Sequence, residues 1–301
     1  MKTFPFYPKR KSTQLDGLWD FTFIGTDMDL ELLVIDNIVY DDSLPVPSAF
    51  DAFPAYSGWR GTAAYRTFLK MTPGVSGLLE FQSVGIWCAI YVDGKRIMTH
   101  HPAYVPFTCE IPADAELCER EIVVVVDNRY DEERAPLQEN IFDFYNYGGI
   151  LRSVTAFELP DCYIKFCHVT PLDIATGEVS IKLYLDGLIP ESVDLELTFD
   201  AAETMECSSQ PVIDGTVSLK VPVPSARVWS PEAPNLHILR VAIDDDDIMA
   251  VTSSPASGPI SSRNSTPFET APIGLIRSWQ ILEAISSRIF TSGTVVMILS
   301  L

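Results

Sequence analysis

This 301-residue sequence is short of positive charge. Its 21 lysines and arginines stand against 41 aspartates and glutamates, a formal net charge of −20. A surface that neutralises many phosphates needs clustered cations. None of that size is present, which argues against nucleic acid as a partner. The densest cationic run, Lys9, Arg10 and Lys11, reads as a solubilising terminus. The six cysteines (Cys88, Cys109, Cys118, Cys162, Cys167, Cys207) form no CxxC pair, so neither a zinc ribbon nor a redox dithiol is suggested, and reduced thiols in cores are expected. Only four histidines occur. His100 and His101 are adjacent and would face opposite sides of a strand, while His168 and His237 lie far along the chain; no metal site and no cofactor are expected. GxSxG, P-loop and GxGxxG patterns are missing, which removes support for nucleophile-elbow hydrolases and nucleotide-binding folds. No apolar run approaches a membrane-spanning length, and the opening "MKTFPFYPKRK" lacks the apolar core of a signal peptide. The reading is a cytoplasmic protein without a membrane partner.

What is present is strand signal. From Leu15 to about Asp247 short β-branched or aromatic alternating runs recur, punctuated by Pro, Gly and Asp. Examples are "GLWDFTF" (17–23), "AAYRTFLKM" (63–71), "GLLEFQSV" (77–84), "CAIYVDGKRI" (88–97), "REIVVVVDN" (120–128), "VSIKLYLDG" (179–187), "VDLELTFDA" (193–201) and "LHILRVAID" (236–244). That spacing predicts an all-β chain of sandwich or barrel type. Asp93-Gly94, between two alternating runs, predicts a type I′ hairpin, whose central residues both need positive φ. Pro160 and Asp161 mark a first break, and a second group of strands runs to "DDDD" (244–247), expected at a hairpin tip or strand end. The predicted organisation is therefore 1–160, 161–247 and a tail, 248–301.

The tail differs in kind. Of the acidic residues only Glu269 and Glu283 follow Asp247. The tail opens with "VTSSPASGPISSRNSTP", a composition that buries too little apolar surface to fold alone. Its later run "IGLIRSWQILEAISSRIF" (273–290) has roughly helical spacing. An irregular or helical tail is expected, and the abrupt shift in composition points to an out-of-frame reading of a longer gene.

Carboxylates are the most abundant chemistry. A glycosidase needs two of them facing one sugar, about 5–10 Å apart, but Asp131, Glu132 and Glu133 read first as a solvated turn. Aromatics interleaved with Pro and Gly in "AFDAFPAYSGWRGTAAYR" (49–66) and "HHPAYVPFTCEIP" (100–112) suit either plugs at the ends of a sandwich or a surface on which sugar rings stack. Trp59 and Tyr104 are the candidates for the second role. The densest stretch is "DFYNYGGILRSV" (143–154), with an acid, three aromatics, an amide and two glycines in one turn.

Taken in order, "LDGLWDF" (15–21), "VPSAFD" (46–51), "YVDGKRI" with "HHPAYVPF" (91–107), "VVVDNR" (124–129) and "FDFYNYGGILRSV" (142–154) resemble the N-terminal sugar-binding domain of glycoside hydrolase family 2, most of all its β-glucuronidase branch. "VWSPEAPNLHILRV" (228–241) is similar to the end of that family's immunoglobulin-like second domain. The resemblance covers roughly residues 13–247. It implies a jelly-roll sandwich followed by an immunoglobulin-like sandwich, with the 143–154 loop at the rim of an active site. Asp143 would then reach the sugar, Asn146 and Tyr147 would order the loop, and Gly148 and Gly149 would permit a tight backbone before Ile150 returns to the core. The alternative for Asp143 is a turn-stabilising Asx residue.

The resemblance also implies a departure. Family members continue into a (β/α)₈ barrel that supplies both catalytic glutamates, whereas here only the tail follows, and no Asn-Glu dipeptide of the kind that carries the acid/base occurs. The expectation is a portion without catalytic residues of its own. It would contact a carbohydrate, β-glucuronide or β-galactoside, within a retaining glycosidase; a free-standing carbohydrate-binding module is the alternative. The sandwich faces of this family also contribute to oligomer contacts, so a homo-oligomer is left open.

Overall fold

The computed structural model describes residues 5–28, 33–101, 103–129, 145–173, 176–201, 204–223, 226–252 and 254–255. Asp143, the Asp131–Glu133 acids and the tail from residue 256 on lie outside the described residues; the start of the predicted tail, 248–252 and 254–255, is strand rather than irregular or helical. Two compact units emerge. One runs from Lys11 to Glu158, and the other joins the residues up to Arg10 to the strands from Leu159 onward. Both are built from strands, as the alternating runs predict, and the chain is an all-β sandwich protein. Among the described residues no helix is long and apolar enough to cross a membrane.

In the Lys11–Glu158 unit the strands are β1 (Ser12–Gln14), β2 (Gly17–Gly25), β3 (Asp42–Val46), β4 (Thr62–Lys70), β5 (Gly77–Phe81), β6 (Trp87–Val92), β7 (Lys95–His100), β8 (Phe107–Ile111), β9 (Glu119–Asp127) and β10 (Val154–Glu158). They form a six-stranded sheet, β3-β2-β4-β9-β6-β7, and a four-stranded sheet, β1-β10-β5-β8. Every pairing is antiparallel. Between β6 and β7, Asp93 (φ 47°) and Gly94 (φ 79°) make the predicted turn.

Alternation sends Trp19, Phe21, Tyr65, Ile90, Ile122 and Val124 of the larger sheet and Leu79, Phe81 and Ile111 of the smaller one into a common core. Cys88 and Cys109 lie in the same core, and burial raises both thiols. Strand β9, "EREIVVVVD", is apolar without alternation because both of its faces are covered. Val123 and Val125 turn away from the core into a second cluster with Ala64, Trp87 and Tyr91, against which Leu33, Ile35, Ile38 and Tyr40 of the β2–β3 connection pack. A continuous apolar run is what a strand buried on both faces requires.

The other unit contains β11 (Cys162–Asp173), β12 (Glu178–Gly187), β13 (Ser192–Phe199), β14 (Thr204–Pro211), β15 (Thr216–Pro222), β16 (Val228–Trp229), β17 (His237–Ala242), β18 (Asp247–Thr252) and β19 (Ser254–Pro255). Its sheets are β11-β12-β15, β14-β13-β17-β18 and the short pair β16-β19. Ile181, Leu183, Leu195, Leu197, Leu239 and Val241 alternate inward from these strands and are buried. The acidic run 244–247 falls at the β17–β18 hairpin, as expected of a tip or strand end.

The cationic terminus overturns its prediction. Far from solubilising the chain, Arg10 is buried. Its Nε and one terminal nitrogen bind the two Asp246 carboxylate oxygens at 2.9 and 2.7 Å, and the same terminal nitrogen donates to the Ile164 carbonyl at 2.7 Å. Its guanidinium also lies 3.8 Å from the Tyr7 ring centroid. The Lys9 backbone N–H donates to Asp247 at 2.7 Å, and Phe6 exchanges backbone hydrogen bonds with Met249. The composition of a terminal run does not reveal that buried acids await it 236 residues away. Removing one partner of a buried pair leaves the other charge without compensation. Arg10→Ala is therefore expected to lower the unfolding free energy of this unit by roughly 3–5 kcal/mol in urea denaturation; a loss below about 1 kcal/mol would mean that the pair behaves as a surface contact.

Candidate functional site

Four connections of the Lys11–Glu158 unit meet through hydrogen bonds. They are the β3–β4 segment with its short 3-10 turns Phe50–Ala52 and Pro54–Tyr56, the β7–β8 loop, the residues leaving β9, and the segment entering β10. Polar backbone leaves the sheets here beside a closed core, so its donors and acceptors need internal partners.

Asn128, fully buried, supplies many of them. Its Oδ1 accepts the Gly61 N–H at 2.9 Å, and its Nδ2 donates to the Trp59 carbonyl at 3.1 Å and to Asp51 at 3.3 Å. Its own carbonyl accepts from Asn146 Nδ2 at 3.0 Å. Asn146 is buried as well. Its Oδ1 accepts from the Tyr104 hydroxyl at 3.3 Å, and its carbonyl accepts from Arg60.

Asp51 is the charged member. One oxygen accepts the Gly148 N–H at 3.3 Å; the other accepts from Asn128 at 3.3 Å and from Arg60 at 3.4 Å. Burial pushes its carboxyl above the usual range, and the Gly148 N–H, Arg60 and Asn128 pull against that without cancelling it. Arg60 in turn lies 4.4 Å from the Tyr145 ring centroid, a cation–π distance.

The glycines have separate reasons. A Cβ on Gly148 would stand 2.8 Å from Phe50 Cζ and 2.9 Å from Asn128 Cβ, so close packing excludes a side chain. Gly149 has φ +126°, a backbone conformation that other residues rarely adopt. Beyond it Ile150 is fully buried in the core.

On the outside of this cluster stand exposed rings. Trp59 sits edge-on to Phe23 at 4.8 Å and to Tyr56 at 5.4 Å, and is 45 % exposed. Tyr145 and Tyr147 pair at 4.7 Å, and Tyr104 is held at φ 66° with its ring nearly half exposed. The structure thus brings Trp59, Tyr104, Asn146 and Tyr147 to one set of loops, joined through Asn128. Asp143 lies outside the described residues. Sequence reasoning passed over Asp51, Arg60 and Asn128, although Asp51 closes "VPSAFD" and Asn128 stands in "VVVDNR"; a polar residue ending a wholly apolar strand was the available signal.

No family model matches the chain. A putative β-glucuronidase of Formosa agariphila is 26% identical over 214 residues, covering 67% of this chain and 26% of the relative. The β-glucuronidase of the dog, Canis lupus familiaris, is 24% identical over 307 residues, covering 89% of this chain and 45% of its own length. Among solved structures, a family 2 β-galacturonidase from Eisenbergiella tayi bound to galacturonate matches with a TM-score of 0.66 at 25% identity, covering 84% of this chain and 44% of that one. The chain resembles part of a family 2 glycoside hydrolase. It spans less than half the length of each of these family 2 relatives.

Two outcomes test the cluster. Gly148→Ala is expected to cost about 1–3 kcal/mol through overpacking, read from denaturant unfolding of the Lys11–Glu158 unit; a neutral substitution would show that Phe50 yields freely. The raised Asp51 carboxyl makes the fold bind a proton more tightly than the unfolded chain does. Stability from this group is therefore lost as pH rises from about 3.9, the ordinary carboxylate value, through the raised one. Relative to Asp51→Asn, the wild type should lose stability across that window. A difference flat with pH would mean that Asp51 is not shifted.

Proposed function

We propose that this chain supplies the non-catalytic, sugar-facing part of a retaining family 2-type glycosidase acting on β-uronides or β-galactosides. In this reading the Lys11–Glu158 unit serves as a jelly-roll domain whose 143–149 loop lines the substrate site, with Asp143 touching the sugar. The second unit serves as an immunoglobulin-like spacer; its sheets of four and three strands fit that architecture. The observation that carries the proposal is the convergence of separate motifs, "VPSAFD", "HHPAYVPF", "VVVDNR" and "YNYGGI", on one hydrogen-bonded loop cluster. A set of loops fixed to one another by buried amides can hold a side chain at the rim of a neighbouring site without itself breaking bonds.

Among the described residues the hydrogen bonds of this cluster join one carboxylate, that of Asp51, which is enclosed among its donors, and not the pair that glycoside hydrolysis requires. The purified 1–301 protein is therefore expected to release no chromophore from aryl β-glucuronide, β-galacturonide or β-galactoside. Turnover that survives stringent purification would overturn the proposal.

A second reading, a carbohydrate-binding module, is favoured by the four rings of Trp59, Tyr104, Tyr145 and Tyr147, each nearly half exposed. Aromatic faces of this kind stack on the C–H surfaces of sugars. Saturable calorimetric binding of a glycan that weakens at least tenfold in Trp59→Ala or Tyr104→Ala would favour the module. Weak uronate binding indifferent to both substitutions would favour the glycosidase part.

A further inference from the structure

The geometry points to Asp51 as the positioning residue for the 145–149 segment, a charged latch that fixes where the loop of the proposed sugar site stands. The inference rests on the reading of that loop as sugar-facing. The contact is reciprocal: the Phe50 N–H donates to the Gly148 carbonyl at 2.9 Å, and the Gly148 N–H donates back to Asp51 at 3.3 Å. Two residues earlier the Ser48 N–H reaches the Ile150 carbonyl at 2.8 Å, so the two segments run clasped from Ser48 to Asp51.

The carboxylate is the acceptor for three donors from three places in the chain: the Gly148 amide, the Asn128 side chain and the Arg60 guanidinium. Arg60 carries the latch outward, since it also donates to the Asn146 carbonyl and stacks on Tyr145. The hydroxyl of Tyr145 adds a further hydrogen bond to Asp51. Only an acceptor with two oxygens can serve donors on both sides. An asparagine keeps the Gly148 bond through its carbonyl but would present a donor to Asn128 and Arg60. Among the described residues the titratable or charged groups that influence Asp51 are Arg60, Tyr145 and Tyr65.

The test uses the full 301-residue chain labelled with ¹⁵N-glycine, with Asp51→Asn and Asp51→Ala beside the wild type. In the wild type the Gly148 amide shift should follow a single titration with a midpoint above the ordinary carboxylate range, and Asp51→Asn should abolish it. Hydrogen exchange across 145–150 should rise at least tenfold in Asp51→Ala and by a smaller but clear factor in Asp51→Asn, which keeps the Gly148 bond and loses those of Asn128 and Arg60, while exchange in β6 and β9 stays unchanged. A Gly148 amide that does not titrate in the wild type, or 145–150 exchange unchanged in Asp51→Ala, overturns the inference. Should Asp51→Ala fail to fold, the titration and its loss in Asp51→Asn decide alone.

Galacturonate and glucuronate, added at millimolar concentration, separate this inference from the reading beneath it. If the Gly148 and Gly149 amides respond to either uronate and the response weakens in Asp51→Asn, the positioning role is supported in full. If those amides stay silent while the titration and exchange effects hold, the sugar-facing reading fails and the latch stands.

Discussion

A buried amide, that of Asn128, is the constraint on which the loop end of the Lys11–Glu158 unit depends. Where β9 leaves the six-stranded sheet its neighbours stop pairing with it, and backbone groups of the β3–β4 segment, the Gly61 N–H and the Trp59 carbonyl, would be stranded beside an apolar core. Asn128 accepts from Gly61, donates to Trp59 and Asp51, and offers its carbonyl to Asn146. Each of these bonds is modest by itself, yet leaving any of the groups buried and unmet costs about 1–3 kcal/mol. The network fixes the Trp59 carbonyl and, through Asn146, the Tyr104 hydroxyl, while the Trp59 ring also rests edge-on against Phe23 and Tyr56.

Two enclosed aspartates show how differently one chain can hold a buried charge. Asp246 has the two-pronged grip of Arg10 at 2.7 and 2.9 Å and the Ile164 N–H at 2.7 Å, distances of strong charge-assisted bonds. Asp51 is met by three donors at 3.3 to 3.4 Å, and its carboxyl remains raised. The first arrangement is a fastening. The second leaves a carboxyl whose neutral form is favoured by burial more than its charged form is by its donors.

Much of the fold was legible in the sequence. The eight quoted runs correspond to strands because alternation marks a surface with one wet and one dry face, and the Asp93-Gly94 turn was readable because positive φ selects those residues. Strand β14, "TMECSSQP", was not readable: it lies at a sheet edge with little of its surface buried, so no apolar rhythm is demanded of it. Strand β8 was hidden inside a Pro- and aromatic-rich stretch read as loop. At the candidate site, Trp59 and Tyr104 could be named from residue type and Asn146 and Tyr147 from the family resemblance, whereas Asp51, Arg60 and Asn128 act through partners 9 to 97 residues distant. Composition and spacing carry no record of such pairings. The same blindness made Arg10 look like a surface charge.

The Arg10 pairing reaches into how the protein comes into being. The ribosome delivers Arg10 ahead of the Lys11–Glu158 unit and Asp246 only 236 residues after Arg10. At about 5–20 residues per second, that is a wait on the order of ten to fifty seconds. Throughout it the strands of Lys11–Glu158 can close their own core, since every strand of that unit finds its partners within the unit, but the leading segment has nothing to grip. The segment around Arg10 is thus made before the strands of Lys11–Glu158 and finds its partners after them.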